Sequence, residues 1–207
     1  PGALCYPHVF VAAGMRVTEL RLDIDSGWVE GAIHCPSPNC NSRPVDEISL
    51  LVIHNISLPP GEFGGDAIER FFLHRLDAAA HPYFATIAGL QVSAHFLVRR
   101  DGKVVQFVGC DRRAWHAGRS SWQGRENCND WSVGIELEGD DDSPFSPEQY
   151  RALWRLLGAL RRRYPVTGVA GHSHVAPGRK TDPGPHFDWA GLAMRFPGLA
   201  LPAEVTG

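Results

Sequence analysis

Three residues that can bind a metal lie after apolar runs in this sequence. His54 closes the run Leu50-Leu51-Val52-Ile53, while His172 and Asp182 lie ten positions apart in a turn-rich stretch that follows a second short apolar run. A catalytic zinc takes about three protein ligands from His, Cys, Asp or Glu and leaves another position open. We therefore predict one hydrolytic zinc site per chain, held by His54, His172 and Asp182.

Two ionisable side chains are candidates for the proton transfer and charge stabilisation that hydrolysis needs. Glu136 lies in the alternating run 131–138 and therefore shares a strand face with Glu138. Beside a metal, one of these carboxylates could hold a proton while the other balances charge; a solvated strand face is the alternative. Lys180 lies two positions before Asp182 and could stabilise an oxyanion, although a lone loop lysine is usually only solvated.

The remaining histidines and one tryptophan give weaker signals. Trp115 offers a flat apolar face on which a sugar ring can stack, or it is an ordinary buried tryptophan with His116 hydrogen-bonded beside it. The sequence does not decide between these. His174 could pair with His172 as a His-x-His unit, but an exposed loop histidine is favoured. His95, inside an expected strand, is predicted to be structural.

Composition narrows the functional classes. With 207 residues, 43% of them hydrophobic and 21% charged, the chain is predicted to form one globular domain. A formal net charge of −3 offers no case for a nucleic-acid partner. No apolar run approaches the roughly 18 residues of a membrane-spanning helix, so no membrane association is expected.

Cysteine usage and the N-terminus bear on localisation. Five cysteines are an odd number without a repeated spacing, which favours a reducing compartment, with Cys35 and Cys40 as free thiols. Residues 1–26 are predicted to be an N-terminal extension, of which 1–14 make a poor signal peptide and are open to interpretation as a tag or another non-native segment. We predict a domain over 27–200, a tail over 201–207 and a cytoplasmic location.

The elements that must position these residues alternate between strands and helices. Asp101-Gly102 joins two β-prone runs and predicts a hairpin. Ser146-Pro147-Glu148-Gln149 predicts the capped start of a long helix with an apolar stripe. The fold class predicted is α/β, a single-domain mixed β-sheet flanked by helices. The strands are expected at 49–54, 94–99, 103–108, 131–138 and 166–170, and the other helices at 66–76 and 188–196.

Four longer motifs together carry a family resemblance. SLLVIHNISLPPG at 49–61, RAWHAG at 113–118, GIELEG at 134–139 and GRKTDPGP at 178–185 resemble the amidase-2 family of zinc-dependent N-acetylmuramoyl-L-alanine amidases. The resemblance runs over about 27–189. It implies the mixed sheet with flanking helices that amidase-2 enzymes and peptidoglycan recognition proteins share, with zinc on the three residues named above.

The same resemblance gives roles to the weaker candidates. It implies that Glu136 and Lys180 take part in catalysis, and that Asn55, Trp115 and His116 line the groove for the substrate sugar. Two departures stand out, because His174 and Asn127 occupy positions where relatives often carry an acidic residue and an arginine, respectively. The departure at Asn127 concerns the shape of the groove and its affinity for the peptide.

The implied reaction is hydrolysis of the amide between the lactyl group of 1,6-anhydro-N-acetylmuramic acid and L-alanine in cytoplasmic muropeptides. This belongs to peptidoglycan recycling, influences β-lactamase induction and needs no obligate protein partner. Two alternatives remain open. One is a periplasmic amidase of the same fold that acts on intact peptidoglycan, and the other is a non-catalytic muropeptide-binding module.

Overall fold

A computed structural model of the chain describes residues 20–23 and 25–203. The predicted segment 1–14, most of the extension 1–26 and most of the tail 201–207 lie outside these residues. The strands are β1 (Arg21–Leu22), β2 (Val29–Glu30), β3 (Ile33–His34), β4 (Cys40–Ser42), β5 (Leu50–Ile56), β6 (Phe96–Val98), β7 (Val104–Gln106), β8 (Arg112–Ala114), β9 (Ser121–Trp122), β10 (Arg125–Glu126), β11 (Ser132–Glu138) and β12 (Gly168–Gly171). The helices are α1 (Ala67–Phe72), α2 (Pro82–Ile87), α3 (Pro147–Arg163), α4 (His172–Val175) and α5 (Trp189–Arg195).

The main sheet is mixed and has six strands in the order β12-β5-β11-β6-β7-β3. β12, β5, β11 and β6 are parallel to one another, whereas β6 and β7 form the antiparallel hairpin that Asp101-Gly102 predicts. Strands covered on both faces consist largely of continuous apolar residues, and the run 50–53 at the start of β5 is fully buried. The predicted mixed sheet is therefore confirmed.

The face of β11 that carries Glu136 and Glu138 is not exposed to solvent, which was the alternative that the sequence left open. All seven of its residues are buried, the polar ones included. Glu138 is compensated by Arg99, whose Nη1 lies 2.8 Å from its carboxylate, and by the Gly64 N–H at 2.6 Å. A buried carboxylate without such partners would be strongly disfavoured, so these contacts explain why an acidic residue is found in a central strand.

Helix α3 covers one face of the sheet. It has the predicted capping box, in which the Ser146 hydroxyl accepts from the Gln149 N–H and the Gln149 side chain accepts from the Ser146 N–H. Its apolar stripe, including Leu153 and Leu157, packs in the same core as β5 and β11. A second core on the other face holds α1 and α2.

The remaining differences from the sequence predictions are local. α1 ends at Phe72 and not near residue 76, because His74 adopts a left-handed backbone with φ of 59°. α2 was not predicted, since its six residues show no usable periodicity. No helix among the described residues is long and apolar enough to cross a bilayer.

One cysteine expectation is wrong. Cys35 is disulfide-bonded, whereas Cys40, Cys110 and Cys128 are free. Spacing along the chain cannot show which thiols meet in space. The cysteine count therefore no longer supports a reducing compartment.

Candidate active site

Three neighbouring parallel strands bring the predicted residues to one edge of the sheet. His54 on β5 lies directly opposite Glu136 on β11, so the two side chains lie side by side. β12 runs parallel to β5 and ends at Gly171, opposite Ile53, so His172 begins α4 at the same edge. The carboxyl ends of parallel strands are the usual place for ligand sites in such sheets.

The three predicted ligands converge on one point. His54 Nδ1 lies 3.0 Å from His172 Nδ1 and 3.0 Å from Asp182 Oδ2. His172 Nδ1 lies 3.1 Å from Asp182 Oδ2. Tetrahedral zinc with ligands at 2.0–2.1 Å would separate its donor atoms by about 3.3 Å. The donor set therefore fits zinc in kind and, within a few tenths of an ångström, in spacing.

The ligand side chains have the protonation that a metal requires. Burial, followed by the neighbouring His172, lowers the pKa of His54 to about 4. Burial alone would raise the pKa of Asp182, but hydrogen bonds with His172 and His54 outweigh it and leave that pKa well below its usual range. At neutral pH these residues are thus a neutral imidazole and a carboxylate, the forms that bind metals.

Glu136 has the opposite character. The residue is 8% exposed, and its Oε2 finds no hydrogen-bond partner among the described residues. Burial raises its pKa well above the usual value, Asp182 raises it further, and Lys180 opposes the rise. A carboxyl group whose pKa is raised in this way is suited to proton transfer.

These residues line one cleft of about 510 Å³, whose lining is partly apolar and partly charged. The apolar part includes Trp115, whose indole N–H is held by Asn41 Oδ1 at 2.9 Å. The charged part includes the exposed Lys180 and Arg179. The cleft thus offers both apolar and charged contacts beside the ligand cluster. Its apolar members include Leu58, Phe71, Tyr83, Ile87, Leu90, Val92 and Trp115.

Asn55 and His116 also line the cleft, but each has a partner within the protein. Asn55 donates to Asp141 Oδ1 at 2.7 Å. His116 Nδ1 lies 3.0 Å from His54 Nε2, so its ring stands behind a predicted metal ligand. The sequence reasoning assigned His116 to the substrate groove and missed this contact, which depends on how a loop folds back onto β5.

Two other histidines lie outside the ligand cluster. His174 Nδ1 accepts from the Gly171 N–H at 3.0 Å, and its ring packs edge-on against Trp189. His95 is fully buried, accepts from the Gly134 N–H and contacts the Arg112 carbonyl oxygen, which matches its predicted structural role.

The sequence reasoning also missed acidic residues at the cleft. Asp140 and Asp141 line it, and the signal for them was the run of aspartates that directly follows the strand carrying Glu136.

Comparison with known proteins gives the family. Residues 41–185 match the Amidase_2 profile, described as N-acetylmuramoyl-L-alanine amidase. The chain is 56% identical over 184 residues to the 1,6-anhydro-N-acetylmuramyl-L-alanine amidase AmpD of Citrobacter freundii, covering 87% of this chain and 96% of the relative. It is 55% identical over 170 residues to the protein of the same name from Escherichia coli K12, covering 81% and 93%.

Solved structures agree with this relationship. A crystal structure of a selenomethionine AmpD derivative superposes with a TM-score of 0.81 at 55% identity, covering 83% of this chain and 98% of that one. A complex of the Escherichia coli amidase AmiD with anhydro-N-acetylmuramic acid-L-Ala-D-γ-Glu-L-Lys superposes with a TM-score of 0.53 at 33% identity, covering 72% and 57%. The fold, the matched profile and relatives that align over nearly their whole length lead to one conclusion: the chain belongs to the amidase-2 family of N-acetylmuramoyl-L-alanine amidases, which are hydrolases.

Proposed function

We propose that this chain is a zinc-dependent amidase of peptidoglycan recycling. Its reaction is hydrolysis of the amide between the lactyl group of 1,6-anhydro-N-acetylmuramic acid and L-alanine in soluble muropeptides. The observation that carries the proposal is the convergence of two imidazole nitrogens and a carboxylate oxygen within about 3 Å of one another. Beside them lies the buried Glu136, whose Oε2 has no hydrogen-bond partner among the described residues. The substrate is supported by 55–56% identity to relatives named for it.

The metal would be held by His54, His172 and Asp182, one zinc per chain. Bound zinc supplies Lewis acidity, which lowers the pKa of water and polarises a carbonyl group. The protein contributes the buried position of the two histidines and the carboxylate that balances the charge.

Glu136 and Lys180 would carry out the remaining chemistry. Because its pKa is raised, the carboxylate of Glu136 can take a proton from the attacking water and pass it to the departing alanine nitrogen. Lys180 lines the same cleft, where its ammonium group can stabilise the oxyanion of the tetrahedral intermediate.

The mixed lining of the cleft suggests how the substrate is held. The anhydro sugar has an apolar face that would stack on Trp115, which its hydrogen bond to Asn41 holds in place. Asn55 and His116 would line the same part of the groove. The stem peptide carries carboxylates, which Lys180 and Arg179 in the lining of the cleft would attract.

The cellular setting follows from this substrate. A soluble muropeptide suits a cytoplasmic enzyme without a membrane, nucleic-acid or obligate protein partner. Clearance of anhydromuropeptides would in turn influence β-lactamase induction.

The test measures amide cleavage of purified 1,6-anhydromuramyl tripeptide and of intact sacculi, with the zinc content of the same sample. We expect cleavage of the soluble substrate alone, at about one zinc per chain. Comparable release from sacculi would instead assign the protein to the wall-degrading amidases. Tight zinc binding without cleavage of either substrate would favour the muropeptide-binding module.

A further inference from the structure

We propose that His116 is a positioning residue that holds the metal ligand His54 in its metal-binding tautomer. The segment His116-Ala117 supports both ligand histidines through the ring nitrogens that face away from the proposed metal. This inference rests on the proposed zinc site. It assigns His116 a role beyond lining the substrate groove, and it assigns Asn129 and Gly134 to the support of that role.

The proton positions around the ligands follow from their partners. His172 Nε2 lies 3.2 Å from the Ala117 carbonyl oxygen, which can only accept, so Nε2 carries the proton. The lone pair of His172 is therefore on Nδ1, the atom that faces His54 and Asp182. The ring is already in the form that binds a metal.

The same reasoning applied to His54 leads to His116. His54 also turns Nδ1 toward the cluster, so metal binding requires its proton on Nε2. That N–H points at His116 Nδ1, 3.0 Å away, which must then accept. His116 in turn carries its proton on Nε2 and donates to Ser132 Oγ at 3.2 Å. One set of proton positions satisfies both rings and the metal.

The segment that bears these partners is fixed by a buried amide. Asn129 Oδ1 accepts from the His116 N–H at 3.1 Å and from the Ala117 N–H at 2.8 Å. Arg179 donates to the Ala117 carbonyl oxygen at 2.7 Å, so that oxygen is held from a second side. Since Asn129 is 6% exposed, this anchor is shielded from competing water.

The neighbouring strand leaves a slot for the His116 ring. A Cβ at Gly134 would lie 2.4 Å from His116 Cγ, closer than any real contact permits. The glycine in the middle of β11 therefore allows the imidazole to pack against the strand and to reach His54. Outer partners of metal-bound histidines of this kind typically contribute 10–100-fold to metal affinity.

The first experiment compares zinc affinity by chelator competition in His116→Ala, His116→Asn and the parent. The alanine variant removes the acceptor, and we expect its zinc dissociation constant to rise about 10–100-fold. Asparagine places an amide oxygen near the position of Nδ1 and should restore most of the affinity. His34→Ala is the matched control, because that ring contacts the Val29 carbonyl oxygen away from the cleft, and its affinity should equal the parent's.

The second experiment needs no variant and reads the tautomers directly. Long-range ¹H–¹⁵N NMR of the zinc-loaded protein should show His54 and His116 each with the proton on Nε2. A His116 protonated on Nδ1, or a His116→Ala variant that binds zinc as tightly as the parent, would overturn the inference. Both outcomes are distinct from failure of the proposed function, in which the parent itself binds no zinc and cleaves no muropeptide.

Discussion

Glu136 and Asp182 are two carboxylates in one cleft with opposite protonation behaviour. Both are removed from water, which favours the neutral form. Asp182 gains hydrogen bonds with two histidines and stays charged, whereas Glu136 Oε2 has no partner among the described residues and its pKa rises. The contrast supports the proposed roles of Asp182 as a metal ligand and Glu136 as a proton carrier, a division that spacing alone could not reveal.

The first prediction concerns Glu136→Gln. The amide keeps the size of the side chain but cannot transfer the proton, so kcat should fall about 10²–10⁴-fold. Zinc content should remain that of the parent, because Glu136 is not one of the three clustered donors. Steady-state kinetics with metal analysis tests this, and Glu148→Gln on the exposed start of α3 is the control. An active, zinc-loaded Glu136→Gln would show that another group moves the proton.

The sequence predicted much of the site at this scale. His54, His172 and Asp182 could be proposed because metal-binding residue types followed apolar runs, and the structure brings them together. The contact between His116 and His54 could not be predicted, because the two residues are 62 positions apart in sequence. It depends on a loop that Asn129 holds in place through the His116 N–H.

Among the elements, α3 shows how local signals decide structure. Its start was predicted from Ser146 to Gln149 because capping depends on neighbours in the chain alone. α1 was predicted too long and α2 was missed, because a left-handed residue and a six-residue helix leave little periodicity to detect.

The second prediction concerns two substitutions in α3 that should change the free energy of unfolding in opposite directions. Ser146→Ala removes the cap and the hydroxyl's bond to the Arg100 carbonyl oxygen, and should lower the free energy of unfolding by about 0.5–2 kcal/mol. Gly158→Ala should raise it by about 0.5–1 kcal/mol, because the added Cβ meets only Arg162 Nη1 at 3.7 Å. Urea unfolding measures both. Destabilisation by Gly158→Ala would mean that the helix cannot accept the methyl group.

For the molecule as a whole, buried neutral histidines make stability depend on pH. Burial, followed by the charge of Arg43, lowers the pKa of His95 well below 6.5, while a hydrogen bond to Arg112 opposes the shift and His54 adds a small further lowering. His116 also packs against the ring of His95. Between the two pKa values, His95 stays neutral in the folded protein but binds a proton in the unfolded chain. Its full contribution to the free energy of unfolding is therefore present above about pH 6.5 and is lost as the pH falls toward the folded-state pKa.

The third prediction follows from this direction of the pH dependence. In metal-free protein, the free energy of unfolding should fall between about pH 6.5 and pH 5, with His95 contributing up to about 1.4 kcal/mol per pH unit. His95→Gln should reduce this slope, whatever it does to stability at neutral pH. Urea unfolding over this pH range gives the slope directly, and an unchanged slope in the variant would exclude His95 as its source.

The parallel edge that gathers the ligands also has a consequence for the order of events in folding. His54 is 118 residues from His172 and 128 from Asp182 along the chain, so the proposed metal site can form only after β5 and β12 have paired. Contacts between such distant residues form late, and a ligand that needs them stabilises the native state more than the transition state. Zinc should therefore slow unfolding while leaving the folding rate nearly unchanged, which stopped-flow measurements with and without the metal would test. The ion would then stabilise the fold after it has formed and would not take part in the folding nucleus.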